Sequence, residues 1–156
     1  MAFSIIVYIA WLGISIFYAM KKPYSKLENS ALLFCLLIID INRSWITNEE
    51  LKVITYSTAP LNYSAYIIHR TFITPMIILI GINSVSRNST VVKKAVAILI
   101  SSFVLILIKI VLLEFNVVSF HQWNLFYDYL YYVLLHLFGY FVLYCYNSFV
   151  LKGVKK

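Results

Sequence analysis

Charge is what this sequence has least of. Asp, Glu, Lys and Arg together make up 12% of its 156 residues, and only six of these are acidic. Globular domains carry about 25% charged residues, so a solvated soluble fold is excluded. Glycine is scarce as well: four residues, none clustered, which rules out a Gly-rich phosphate-binding loop. The two cysteines, Cys35 and Cys145, both fall inside apolar runs, which is neither a disulfide framework nor metal-ligand spacing. No HxxxH or HExxH pair occurs among the three histidines, and no Ser-His-Asp arrangement can be read. No cofactor, metal or catalytic motif is therefore expected, and the chain reads as non-enzymatic.

What is abundant is apolar surface. Hydrophobic residues make up 62% of the chain, and the mean hydropathy is +0.86. That composition predicts an all-α integral membrane protein. Five runs reach the roughly 20 residues needed to cross a bilayer: Phe3–Met20, Ser30–Ile46, Leu61–Asn83, Ala95–Leu113 and Leu125–Leu151. They form one transmembrane domain over residues 1–156, with no repeat and no low-complexity tract. The short connections leave no room for a soluble domain. Phe3–Met20 lacks a basic region before it and a small-residue cleavage site after it, so an uncleaved first span is expected.

The net charge of +7 lies mostly in clusters at the ends of apolar runs. This is the pattern of orientation signals and anionic-lipid contacts, and a nucleic-acid partner is not expected. With five spans, one side carries Lys21, Lys22, Lys26, Arg87, Lys93, Lys94, Lys152, Lys155 and Lys156, the other only Lys52. The positive-inside rule then puts the N-terminus outside and the C-terminus in the cytoplasm. Trp45 and Trp123 fall at the outer boundary, as interface aromatics do.

Local signals add detail. Thr47 and Glu50 have capping-box spacing, which predicts a short amphipathic helix over 48–55 on the outer surface. Pro60 suits a first helical turn. Pro75 deprives the carbonyl of Thr71 of its usual donor, so the third span is expected to kink.

The ionisable residues within the spans are unevenly placed. At about 1.5 Å rise per residue, Asp40, Arg43, His69, Arg70, Lys109 and Asp128 all fall in the outer half, with Glu114 and His121 in the joint above. The inner half has almost nothing ionisable. A charge near the bilayer centre costs at least ~2.5–3.5 kcal/mol, so such residues pair or face a cavity. Asp40 and Arg43 share a face, and Asp128, Tyr132 and His136 form a stripe at spacings of four. An Asp40–Arg70 ion pair is expected, with His69 or His136 nearby. The cluster reads as a polar pocket for a lipid headgroup, an ion or a partner protein; the competing explanation is a network that only fixes helix packing. A metal held by His121, Glu114, Asp128 and His69 requires a convergence that spacing alone does not give. Transport by an oligomer and an intramembrane metal-dependent enzyme are the remaining alternatives.

The chain also resembles an uncharacterised family of small multi-pass membrane proteins from spore-forming Firmicutes. The residues that carry the resemblance are Glu114, the His-x-Trp-Asn joint at His121, Trp123 and Asn124, then Asp128, Tyr131 and His136. Asp40 and the pair Lys21–Lys22 also match. The resemblance implies a bacterial cell-membrane protein and supplies no activity. Membrane lipids, a second copy or another membrane protein are the expected partners.

Overall fold

A computed structural model describes residues 1–85 and 87–153, the side chains of 150–153 excepted. Lys155 and Lys156, counted above toward orientation, lie outside the described residues. Five helices are long and apolar enough to cross a membrane. The first is α1 (Ala2–Ala19); the second is α2 (Lys26–Trp45), running on through a π-helical turn at Ile46–Glu50. The third span joins α3 (Pro60–Ile68) to α4 (Thr74–Asn83) through a second π-helical turn, His69–Ile73. Helices α5 (Val91–Glu114) and α6 (Leu125–Gly153) complete the bundle.

The helix boundaries follow local chemistry. Ser25 and Glu28 form a capping box at the start of α2, each bonding the other's backbone N–H, which satisfies two donors that a helix start leaves orphaned. Pro60 opens α3, where its missing N–H costs nothing. Helix α5 stops at Asn116, which adopts φ 51°. The N–H of Asn116 reaches the Leu113 carbonyl and that of Val117 the Leu112 carbonyl, both at 2.9 Å. This is a Schellman stop, and its usual apolar clasp is made by Leu112 and Val117, both fully buried.

Two expectations for the joints are corrected. The segment over 48–55 is not a surface helix. Thr47 caps nothing; its hydroxyl bonds back to the carbonyls of Arg43 and Ser44, and α2 continues past it as the π-helical turn. Lys52 then reverses the chain at φ 52°, and β1 (Ile54–Tyr56) pairs antiparallel with β2 (Val118–Phe120), Thr55 opposite Ser119. This ribbon ties the joint after the second span to the joint before the fifth, and it marks one end of the bundle. The disturbance expected from Pro75 takes the form of the His69–Ile73 turn, in which the N–H of Thr74 bonds the His69 carbonyl five residues back.

Helix α4 is central, packing against α1, α2, α5 and α6. One apolar core joins Leu32, Leu36, Ile78, Ile82, Leu105 and Leu135. A second, nearer the ribbon, gathers Ile6, Ala65, Ile73, Leu112 and Val117. Outside these cores the apolar side chains face outward, Trp11, Phe34, Ile100, Leu134 and Phe141 among them. Exposed hydrophobic surface on this scale is foreign to a soluble monomer and is what hydrocarbon solvates.

The end opposite the ribbon is not free of ionisable groups. Because α2 begins at Lys26, Glu28 lies within it and is buried. It pairs with Arg87 at 2.5 Å, while Arg87 also donates to the Pro23 carbonyl at 2.9 Å. Asn83 reaches Asn29 at 2.7 Å beside this pair.

Candidate functional site

The spans bring the ribbon-end charges together, in pairings that differ from expectation. Asp128 lies one turn into α6, fully buried. Its Oδ1 accepts a close hydrogen bond from Arg43 and one from the indole N–H of Trp123 at 3.1 Å. Its Oδ2 faces the ammonium of Lys109 on α5 at 3.5 Å. A single carboxylate thus answers two cations. Asp40 accepts from the phenol of Tyr131 at 2.7 Å, and the guanidinium of Arg43 lies 4.4 Å from the centre of the same ring. The expected Asp40–Arg70 ion pair does not form. Arg43, one turn on from Asp40, takes the acid on α6 instead, and Arg70 donates to the hydroxyl of Ser44 at 3.1 Å.

Arg70 is accordingly the odd cation. Asp40 and Asp128 lie among Arg43, Lys109 and Arg70, and the third carboxylate, Glu49, is exposed on the outer cavity that Arg70 also lines. Among the described residues no carboxylate lies within 4 Å of Arg70, and its buried Nε has no hydrogen-bond partner. The residue projects from the π-helical turn of the third span and reaches Ser44 on α2. There Ser44, Tyr66 and Asn48 form a polar knot: Ser44 bonds the Tyr66 phenol closely, and Asn48 donates to Tyr66 at 2.9 Å and to Ser44 at 3.1 Å.

Two cavities meet at Arg70 and Ser44, and their sizes decide what each can hold. The inner one, bounded by Asp40, Arg43, His69, Lys109 and Tyr132, has a volume of about 10 Å³. This is room for one water at most, so the inner charges pack against each other. The outer one has a volume of about 250 Å³ and opens between Ile41, Trp45, Asn48, Glu49, Tyr56 and Arg70. Here a ligand fits. The phenol of Tyr56 donates to Glu49 at 2.7 Å, and this bond chiefly pushes the tyrosine pKa up to about 12.

The other predicted residues disperse. His69 is buried in the inner wall with its Nε2 unpartnered. His121 lies exposed on the ribbon, its Nε2 3.0 Å from the Thr55 hydroxyl. Glu114 is exposed at the end of α5. The four-residue convergence weighed for a metal is not made: among the described residues no three His, Cys, Asp or Glu side chains are placed to hold one ion.

His136 belongs to a separate site deeper in the bundle. Its Nδ1 lies 2.7 Å from the Tyr132 carbonyl and its Nε2 2.7 Å from the Ser101 hydroxyl. The carbonyl requires a proton on Nδ1, and the one Ser101 hydroxyl proton lies between Nε2 and the Ala97 carbonyl, which is also 2.7 Å away. Gly81 makes room for this contact; a Cβ there would lie 2.6 Å from the Ser101 hydroxyl oxygen. Ser101 also borders a largely apolar furrow of about 500 Å³ between α1, α4 and α5, open to the hydrocarbon-facing side.

Sequence reasoning missed Ser44, Asn48, Glu49 and Tyr56 at the outer cavity. One cue was present: Ser44 and Asn48 sit four apart, one turn beyond Asp40 on the same face of α2. No protein-family model, curated protein or solved structure matches the chain.

Proposed function

We propose that this is a five-span component of the bacterial cytoplasmic membrane, N-terminus outside and C-terminus inside, that binds an anionic group at Arg70. The role is non-enzymatic, and a phospholipid phosphate is the first ligand to test. What supports the reading is one juxtaposition: a guanidinium with no carboxylate within 4 Å among the described residues, at the wall of an open cavity of about 250 Å³. An oxyanion there pairs with a guanidinium that no carboxylate contacts, and charge-assisted hydrogen bonds of this kind are the strong ones. The orientation rests on the lysine-rich loops, of which Lys21, Lys22, Lys93 and Lys94 flank the end opposite the ribbon.

Native mass spectrometry of the detergent-purified protein tests the function. Wild type is expected to retain anionic lipid that Arg70→Gln loses. A bare protein in both samples, after purification in the mildest detergent that keeps it folded, overturns the proposal.

A further inference from the structure

The cavity at Arg70 is not uniformly basic. Glu49 lines it as well, and the two charges are not paired with one another: no oxygen of Glu49 comes within 4 Å of Arg70. Opposite charges that share a small cavity without touching leave space for a ligand that carries both. Arg70 offers its guanidinium to an oxyanion, no carboxylate among the described residues lying within 4 Å of it. The cavity is also lined by Glu49, whose carboxylate accepts from the Tyr56 phenol, and by Trp45. A carboxylate beside aromatic faces is the usual seat of an ammonium group. The lip of the cavity is apolar. Ile41 and Trp45 are 44% and 57% exposed, and they lead from the polar groups onto the hydrocarbon-facing surface of α2.

From this arrangement we infer that the ligand is a zwitterionic aminophospholipid, its phosphate on Arg70 and its primary ammonium on Glu49. The acyl chains run down past Ile41. This assignment rests on the anion site proposed above and adds the selection of headgroup. A primary ammonium donates charge-assisted hydrogen bonds to the Glu49 carboxylate and cancels its charge. Phosphatidylglycerol supplies the phosphate but leaves the carboxylate unanswered.

The test is competition. Delipidated protein is mixed with equimolar palmitoyl-oleoyl phosphatidylethanolamine and phosphatidylglycerol in detergent micelles, and bound lipid is counted by native mass spectrometry. Wild type is expected to prefer the ethanolamine lipid by about fivefold, the discrimination that a part-exposed charge pair supports. Glu49→Gln is expected to lose the preference yet still bind phosphatidylglycerol. Arg70→Gln is expected to lose both lipids by about tenfold or more, the loss of a charge-assisted bond. Arg70→Lys, which keeps the charge and the fold, is expected to fall between.

A wild type that favours phosphatidylglycerol or shows no preference overturns the zwitterion assignment, while loss of phosphatidylglycerol in Arg70→Gln then keeps the anion site. Lipid binding untouched by both Arg70 variants overturns the anion site itself. Free O-phosphoethanolamine that displaces the lipid at equal concentration overturns the lipid assignment in favour of a soluble zwitterion.

Discussion

Replacing Asp128 by Asn should reveal how much of the bundle hangs on one carboxylate. The change keeps shape and leaves an oxygen for Arg43 and Trp123. It removes the charge that answers Lys109 at 3.5 Å and turns an amide N–H₂ toward that ammonium. Asp128 is fully buried and Lys109 is 3% exposed, so water cannot take over, and the inner cavity of about 10 Å³ admits no solvating shell. Breaking a buried pair by removing one partner costs about 3–5 kcal/mol. At roughly 2–4 °C per kcal/mol for a chain of this size, the midpoint of thermal unfolding in detergent should fall by about 10 °C. Adding Lys109→Met removes the orphaned cation and replaces it with apolar volume, so the double variant should recover about half of the loss. Residues that share one network couple rather than add. An Asp128→Asn midpoint within about 2 °C of wild type, against the cost expected of a buried pair, would refute the reasoning. So would a double variant whose loss is the sum of the two single losses.

Orientation can be read with single cysteines in a background lacking Cys35 and Cys145. A membrane-impermeant maleimide applied to intact cells should label Lys52→Cys, whereas Asn88→Cys should react only after lysis; the reverse pattern inverts the topology. The glycines give a graded series. Gly81→Ala presses on Ser101 at 2.6 Å and on His136 at 3.2 Å and should destabilise by about 1–3 kcal/mol. Gly139→Ala meets only the tips of Ile82 and Leu32, at 2.7 and 3.2 Å, and should cost less. Gly13→Ala finds nothing nearer than 3.8 Å and should be neutral or stabilising, since alanine outranks glycine in helices by up to ~1 kcal/mol; thermal midpoints out of this order contradict the packing. Finally, the Tyr56 phenol should ionise near pH 12 rather than at the usual pH of about 10. Its raised pKa means that the bond to Glu49 contributes fully below about pH 10 and is lost as pH rises through about 12. Ultraviolet titration, taken as wild type minus Tyr56→Phe, should show this, and Glu49→Gln should return the transition toward 10.

Much of the fold is legible because membrane spans are written in composition. Each of the five helices contains its expected apolar core, and the differences are at the ends. Helix α2 begins four residues early because Ser25 and Glu28 cap it, a signal as plain in the sequence as the Thr47–Glu50 spacing that is not used. The two spacings are identical. What separates them is that α2 has no reason to stop before Thr47, whose hydroxyl is satisfied by its own helix. The ribbon was not legible, since Ile54–Tyr56 and Val118–Phe120 are three residues each and pair across more than sixty positions. The candidate site was half legible. Depth along the spans brings Asp40, Arg43, Arg70, Lys109 and Asp128 to one level, and the Asp128–Tyr132–His136 stripe is buried as its spacing predicts. Which acid meets which base depends on helix rotation, and the π-helical turn before Pro75 resets that rotation by a fraction of a turn. Arg70 and Asp40 border the same small cavity, yet Arg70 bonds Ser44 and Asp40 bonds Tyr131.

The most direct measurement is the side-chain Nε–Hε resonance of Arg70 in protein reconstituted with phospholipid, assigned by its loss in Arg70→Lys. The account predicts a shift that saturates with added phosphatidylethanolamine, as the guanidinium takes up the phosphate. A resonance that stays where it is in lipid-free detergent would mean that the guanidinium meets no oxyanion, and the proposed site would be wrong.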